Sequence, residues 1–416
     1  MNWWTPLLLP LSFWAASAGD IDSAALLSRA QSRIRNNAGK IPRYVCRQKI
    51  ERTAFARLAP NLTVSVNKAG ICWTLPDRGL PKVPSLSLIQ ADRAHLDVML
   101  AQGAEFFSWP GGRSFDTSDP GDLLGGGLSG SGDFASFVIN VFAGDEVTFE
   151  YLGTCPSAAC ARYRYDVPLQ VSHYIVKSVL ETVTVGYHGT FDLDPQSAEL
   201  VRMTVAPTEL SEALPGACDI RTRMTYTRTT MQAGEFMIPE STEMEYLDGE
   251  GSYSLNRVSY EGCRQYTSES VLTFGDDTPQ LLTGDNTKIS QAPPVAGSEL
   301  TLRLASKIDS EHGSAGDNLE ATLVRAVQDT EGGSIPAATI IRGHLAELQR
   351  VYFPRRQVVI AIRFDTIVLN GSPIRLTLEP IGKMDRHGRG IFSFPGQRVM
   401  VDRHFVSRWR VGSPAP

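Results

Sequence analysis

The chain is 416 residues long, 42% hydrophobic and 20% charged, with a formal net charge of −5. This is the composition of an ordinary globular protein, too long for one core, so two or three domains of about 100 to 200 residues are expected. From Lys383 onward seven basic residues face two acidic ones, a balance of +5 that leaves −10 for the remainder; no nucleic-acid partner is expected, and a basic C-terminal tail over 383–416 can either touch an anionic envelope surface or carry solvated arginines on edge strands.

The opening run, 1–18, is uncharged and apolar and ends in Ala16-Ser17-Ala18, which fits the small-residue pattern of signal-peptide cleavage. It is shorter than the about 20 apolar residues a spanning helix needs, and it carries Pro6 and Pro10. An uncleaved anchor is the competing reading. The absence of Lys or Arg ahead of the apolar run is atypical and raises the question of whether the start codon is correct. No cysteine follows the cleavage point to take a lipid, and no later stretch is long and apolar enough to span a bilayer. The expectation is an exported protein, periplasmic or extracellular, without a spanning segment once the signal is removed.

An N-terminal helix is predicted within 19–40, capped by Asp22, with Leu27, Ala30 and Ile34 on one face and Arg29, Arg33 and Arg35 on the other. A β-rich body follows over 41–280, divisible into sub-parts 41–155 and 156–280. Its first part reads as strands at 44–53, 71–75, 96–100 and 105–109, with a turn at Gln102-Gly103, and a short helix over 134–142. Before that helix lies the glycine-rich run Gly125-Gly126-Gly127-Leu128-Ser129-Gly130-Ser131-Gly132-Asp133. A phosphate cradle is conceivable at such a place. The Lys-Ser/Thr ending is missing, however, and no surrounding βαβ unit supplies a ribose ligand.

The second part gives the clearest period-two alternation. Tyr163, Tyr165 and Val167 alternate; so do Phe191 and Leu193 before Asp194-Pro195, and 200–205 returns. Three long strands at 220–231, 236–247 and 253–262 then form a meander through Ala233-Gly234 and Asp248-Gly249. Residues 281–297 have linker composition. A small β domain is predicted over 298–382, with alternating runs at 300–304, 358–365 and 374–379 and an Asn370-Gly371 hairpin turn.

All six cysteines, Cys46, Cys72, Cys155, Cys160, Cys218 and Cys263, follow the signal, and an even number in an exported chain suggests disulfides. Cys155 and Cys160 close a small loop. Cys46 and Cys72 would lie opposite one another in a hairpin centred on Ala59, leaving Cys218 and Cys263. In a simple meander those two sit at opposite ends, separated by about 40 Å at about 3.3 Å per residue, against a disulfide Cα reach of about 7 Å. Either the strand order differs or they do not pair. A zinc site would need more Cys or His ligands at short spacing, so no metal is expected.

No G-x-S-x-G, H-E-x-x-H or strand-to-helix G-x-G-x-x-G occurs. Ser65-Val66-Asn67-Lys68 matches S-x-x-K without an accompanying K-T-G, and the seven histidines are scattered singly. No catalytic, cofactor-binding or metal residue is assigned. Should the chain be a hydrolase, His188, Asp192, Glu243 and Glu245 are its candidates.

The segments Tyr44-Val45-Cys46 with Ile50-Glu51-Arg52, Phe106-Phe107-Ser108-Trp109-Pro110-Gly111, the Gly125–Gly132 run, Tyr187-His188-Gly189 with Asp194-Pro195, and Trp409 together resemble a family of uncharacterised secreted bacterial proteins. The meander is similar to the half-barrel of periplasmic lipoprotein carriers. The segment after the linker, with 310–317 and Ile335-Pro336-Ala337-Ala338-Thr339, resembles β modules of bacterial secretion-apparatus proteins, in which a glycine is usual where Ala338 stands. These resemblances imply a mainly β protein: a half-barrel-like antiparallel central sheet, short helices, and a C-terminal small barrel or sandwich. Function then divides two ways, into a non-enzymatic envelope module binding an apolar ligand or protein partner, with no cofactor, and a secreted hydrolase whose site forms only in three dimensions.

Overall fold

The computed structural model describes residues 21–38, 43–58, 72–76, 79–101, 104–112, 114–115, 117–131, 136–144, 146–155, 160–178, 181–232, 234–265, 292–385 and 387–413. The signal segment 1–18, the hairpin turn expected at Ala59, the S-x-x-K match and most of the linker 281–297 lie outside these residues.

Helix α1 (Ser23–Ala38) begins as its cap predicts, the Asp22 carboxylate accepting the Ala25 N–H at 3.0 Å. Leu26 and Ala30 are buried, and Arg29 and Arg33 reach outward to the Pro195 carbonyl and the Glu199 carboxylate. The chain then lays down β1 (Tyr44–Arg57), β2 (Leu86–Ala101) and β3 (Ala104–Ser108), helices α2 (Pro120–Leu124) and α3 (Ser136–Ala143), and strands β4 (Thr148–Thr154) and β5 (Ala161–Val167). A separate hairpin, β6 (Tyr174–Lys177) and β7 (Thr182–Val185), precedes β8 (Tyr187–Leu193) and β9 (Leu200–Pro207). After the single turn α4 (Leu210–Ala213) come the long strands β10 (Ala217–Met231), β11 (Gly234–Asp248) and β12 (Tyr253–Gln265).

Ten of these strands form one antiparallel sheet in the order β4-β5-β8-β9-β10-β11-β12-β1-β2-β3. The β10–β12 meander is the predicted one. Its register aligns side chains across the sheet, so that Val205, Thr222, Met244, Asn256, Arg52 and Asp92 fall in one continuous row on the inner face. Met203, Met224, Thr242, Val258, Ile50 and Ala94 form the next. Residues 72–76 are not a strand, contrary to the 71–75 expectation; Trp73, Leu75 and Val83 instead cover Leu247, Tyr253 and Leu255 on the outer face.

The cysteines pair as Cys155–Cys160, Cys46–Cys263 and Cys72–Cys218. The hairpin pairing of Cys46 with Cys72 is therefore wrong, and of the two alternatives for Cys218 and Cys263 the second holds: the meander is simple and they do not pair with one another. The reason is topological. The start of β1 runs antiparallel to the end of β12, where Val45 faces Arg264, which brings the Cα atoms of Cys46 and Cys263 to 4.1 Å. Cys218, at the other end of the meander, is free to tie down the outer segment at Cys72.

The C-terminal strands are β13 (Glu299–Leu304), β14 (Ile308–Asp309), β15 (Asn318–Leu323), β16 (Val327–Gln328), β17 (Ser334–Ile335), β18 (Ile340–Val351) and β19 (Gln357–Leu369), then β20 (Ser372–Arg375), β21 (Leu378–Pro380), β22 (Gly390–Pro395), β23 (Met400–Val401) and β24 (Val406–Val411). They share one apolar core drawn wholly from residues 300–411, with Trp409 fully buried and edge-on to Phe364 at 5.2 Å. Among the described residues they do not close into a barrel. The stretch from Lys383, expected as a basic tail, supplies β22 to β19 and β24 to β13 and β21. Its apolar residues alternate with the arginines, so it is sheet rather than tail. Residues 292–297, expected as linker, are likewise tied to this unit through Val295 N–H to Gln328 and Gly297 N–H to Val411.

Asn370 and Gly371 both have positive φ, 50° and 80°, as a two-residue type I′ hairpin requires. Ala338 has φ 65°, a left-handed conformation that glycine adopts at no steric cost and alanine does not. The two units meet where β18 pairs with β2, Gln349 opposite Asp92 and Val351 opposite Gln90. Around this junction the Trp109 ring lies 4.8 Å from His344, and a Cβ at Gly316 would press on Pro110. The two motifs picked out separately, at 106–111 and 310–317, are thus the two sides of one contact.

Candidate binding site beneath a glycine strap

The inner face of the ten-stranded sheet is covered in three parts. Helices α1 and α3 bury Leu26, Ala30, Phe137, Val141 and Phe142 against β5, β8, β9 and β10. At one edge, the β6–β7 hairpin and α4 cover Ile220 and Tyr246. Between them, over the centre, lies the glycine-rich run.

This strap leaves α2, whose Asp119 cap accepts the Gly121 N–H at 2.9 Å and whose end is marked by Gly125 at φ 73°. The strap then passes across the strands along the Met244–Asn256–Arg52 row. Its carbonyls point inward. Leu124 and Gly126 accept from Arg52, Leu128 accepts from Asn256 Nδ2 at 3.1 Å, and Leu123 accepts from Arg389 at 3.0 Å. A phosphate cradle presents N–H groups instead. The glycines are there because the backbone comes close: a Cβ at Gly127 would lie 3.1 Å from Arg52, one at Gly125 2.6 Å from Arg389, and one at Gly130 would collide with the Met244 methyl.

Both arginines are buried and paired. Arg52 meets Asp92 at 2.7 Å and Arg389 is bonded to Asp385. Burial alone would raise the Asp385 carboxyl, but the backbone N–H and guanidinium of Arg389 hold it below the usual carboxylate range. Glu347 completes the cluster. Burial pushes its carboxyl up, with the Arg389 charge working against that and Asp92 adding to it. On the solvent side, Lys177 of the β6–β7 hairpin meets the free oxygen of Asp119 at 2.8 Å, joining two parts of the roof. Burial at Asp119 is outweighed by the Lys177 and Gly121 hydrogen bonds, so its carboxyl is held low.

Under the strap, Thr222 and Thr242 are 1% and 4% exposed, and Asn256 is 4% exposed. Among the described residues the Thr222 and Thr242 hydroxyls and the Asn256 carbonyl oxygen have no hydrogen-bond partner. An unpaired buried polar group costs about 1–3 kcal/mol, and here three stand on neighbouring strands beside Met224, Met244 and Val258.

The hydrolase candidates do not assemble. His188, Asp192, Glu243 and Glu245 all lie on the outer face, where His188 meets Thr208, Asp192 is held by Arg162 and Arg202, Glu243 by Arg223 and Arg257, and Glu245 by Arg223 and the Tyr253 hydroxyl. A depression of 480 Å³ over this outer face is lined by Lys49, Arg202, Arg223, Glu243 and Arg257, and a second of 450 Å³ by Asp166, Leu169, Glu209 and Glu212. The first also reaches Thr242 and Val258, and the second lies at the edge covered by the β6–β7 hairpin and α4; over the rest of the inner face the sheet is covered by the protein's own elements. Cys155, Cys160 and Asp192 cluster, but the two sulfurs are bonded to each other and the carboxylate to arginines, so they present no ligand set. Arg52 and Asn256 were missed by the sequence reading, although a charged and an amide residue at inward strand positions are a visible anomaly beside Ile50 and Val258. Arg389 left no local signal.

No family model matches the chain, and no curated protein matches it. Among solved structures it is similar to a DUF1329 family protein from Desulfovibrio piger, at 8% identity over 59% of this chain and 94% of that one, with a TM-score of 0.27. It is also similar to a LolA superfamily protein from Nitrosomonas europaea, at 10% identity over 59% and 93%, with a TM-score of 0.24.

Proposed function

We propose that this is an exported, non-enzymatic envelope protein that binds an amphipathic ligand, an alkyl or acyl chain with a polar head, on the inner face of its ten-stranded sheet beneath the glycine strap. The observation that carries this reading is the floor of that site. Three buried polar atoms without partners stand among flexible Met224 and Met244 side chains, which adapt their shape to a bound chain. A polar head would take up the bonds that the fold leaves unmade. The strap covers this floor with backbone rather than side chains, and a cover held by carbonyls on two arginines leaves as one piece. Export is supported by the pairing of all six cysteines, which needs an oxidising compartment.

Native mass spectrometry of the protein isolated from its producing cells, together with titration by a dansylated fatty acid, tests the proposal. Lipid-sized adducts and saturable probe binding are expected, and Met244→Trp, which fills the floor under Gly130, is expected to abolish both while leaving the far-ultraviolet spectrum unchanged. A protein without adducts, with no saturable probe binding or with equal binding by the variant, would show the reading to be wrong.

A further inference from the structure

We propose that the tip of the β18–β19 hairpin is a docking point for an anionic phospholipid surface. Val351 pairs with Gln357, so Tyr352, Phe353, Pro354, Arg355 and Arg356 form the projecting turn. Phe353 is 50% exposed, and Pro354, Arg355 and Arg356 are exposed with it. The two arginines, and Arg350 one step below, make no ion pair among the described residues, whereas Arg342 on the same strand is bonded to Glu320.

The charge around the tip is one-sided for a structural reason. Three segments meet here: the start of β2, through Tyr352 N–H to the Ile89 carbonyl and Val351 opposite Gln90; the hairpin itself; and the end of β22, through Gln357 opposite Pro395 and Gly396 N–H to the Arg356 carbonyl. No acidic residue occurs in 79–91, 348–364 or 390–401. The nearest acids along these strands, Asp92 and Glu347, turn inward to the buried arginine cluster. An exposed aromatic ring flanked by unpaired arginines suits a bilayer interface: the ring enters the headgroup boundary while the guanidinium groups stay among the phosphates. One five-residue turn is too small for a stable protein interface, which needs about 1,000 Å². A membrane requires no more than a wedge and charge.

The test is co-sedimentation of the full disulfide-bonded protein with phosphatidylcholine vesicles, with and without phosphatidylglycerol. Binding is expected only to the anionic vesicles and is expected to weaken with salt. At about 1 kcal/mol per arginine near such a surface, Arg355→Ser/Arg356→Ser is expected to bind about 30-fold more weakly, and adding Phe353→Ser to remove the rest. Arg403→Ser, in an exposed turn of the same unit, is expected to bind like the unaltered protein. Absence of binding to anionic vesicles overturns the proposal. So does equal binding by the double variant with an unchanged melting temperature, or equal binding to neutral vesicles. Capture by an acidic protein instead of vesicles has the same consequence. Because the probe titration reads the inner face and the sedimentation reads the tip, either can fail without the other.

Discussion

Replacing Arg389 with methionine isolates what holds the strap to the C-terminal unit. The guanidinium is buried, donates to Leu123 at 3.0 Å and to Ala346 at 3.5 Å, and is paired with Asp385. Methionine keeps most of the aliphatic stem but none of the donors. Removing one partner of a buried pair typically costs about 3–5 kcal/mol. Here Asp385 retains the N–H groups of His387 and Arg389, each at 2.9 Å, so the lower end applies, about 3 kcal/mol. Arg389→Met/Asp385→Asn removes the stranded charge as well and is expected to recover part of the loss. Urea denaturation reads the stability, and hydrogen exchange at Gly125, Gly126 and Gly127 reads the strap. The reasoning fails if the single variant loses less than about 1 kcal/mol, if the double variant is no better than the single one, or if exchange in the strap is unchanged.

Glu347→Gln is expected to raise the melting temperature at neutral pH. The folded carboxyl is raised, chiefly by burial, so its favourable contribution is complete below the unfolded value of about 4.3 and is lost as pH rises through the folded value; the variant gains nothing at pH 4. His344, pushed down to about 4 by burial, with Asp365 pulling the other way, is expected to show an NMR titration midpoint well below an ordinary histidine and to be neutral at pH 6. Ala338→Gly relieves a left-handed alanine, worth about 1–2 kcal/mol, against about 0.4–1 kcal/mol of added chain entropy, so thermal unfolding should show a net gain of about 0.5–1 kcal/mol. Non-reducing peptide mapping is expected to recover Cys46 with Cys263, Cys72 with Cys218 and Cys155 with Cys160; a Cys46–Cys72 peptide would contradict the β1–β12 register.

What the sequence disclosed follows the range over which its signals act. Period-two alternation and turn residues are local, so α1, the β10–β12 meander and the Asn370-Gly371 hairpin were legible to within a few residues. Of the disulfides only the local Cys155–Cys160 loop was legible; the other two were not, because the placement of β1 between β12 and β2 is set by pairing across about two hundred residues. The same limit hid the site. Arg52 is an oddity on β1 until Gly126 is seen above it, and Arg389 is one of seven basic residues in a presumed tail until β22 is seen to return to β19.

The glycine-rich run shows how a conspicuous motif can have its chemistry reversed by context. Read along the chain, glycines before a helix suggest N–H groups turned toward an anion. In the fold they follow a capped helix, and the groups turned inward are carbonyls, which need hydrogen-bond donors, here the Asn256 amide and two cations. The sheet supplies one such cation from β1, and the C-terminal unit supplies the other. The strap is therefore held jointly by both halves of the molecule, at Leu123 by Arg389 and at Leu124 and Gly126 by Arg52. Strand β18, whose hairpin carries the Phe353 turn, shares Arg389 with the strap through its Ala346 carbonyl.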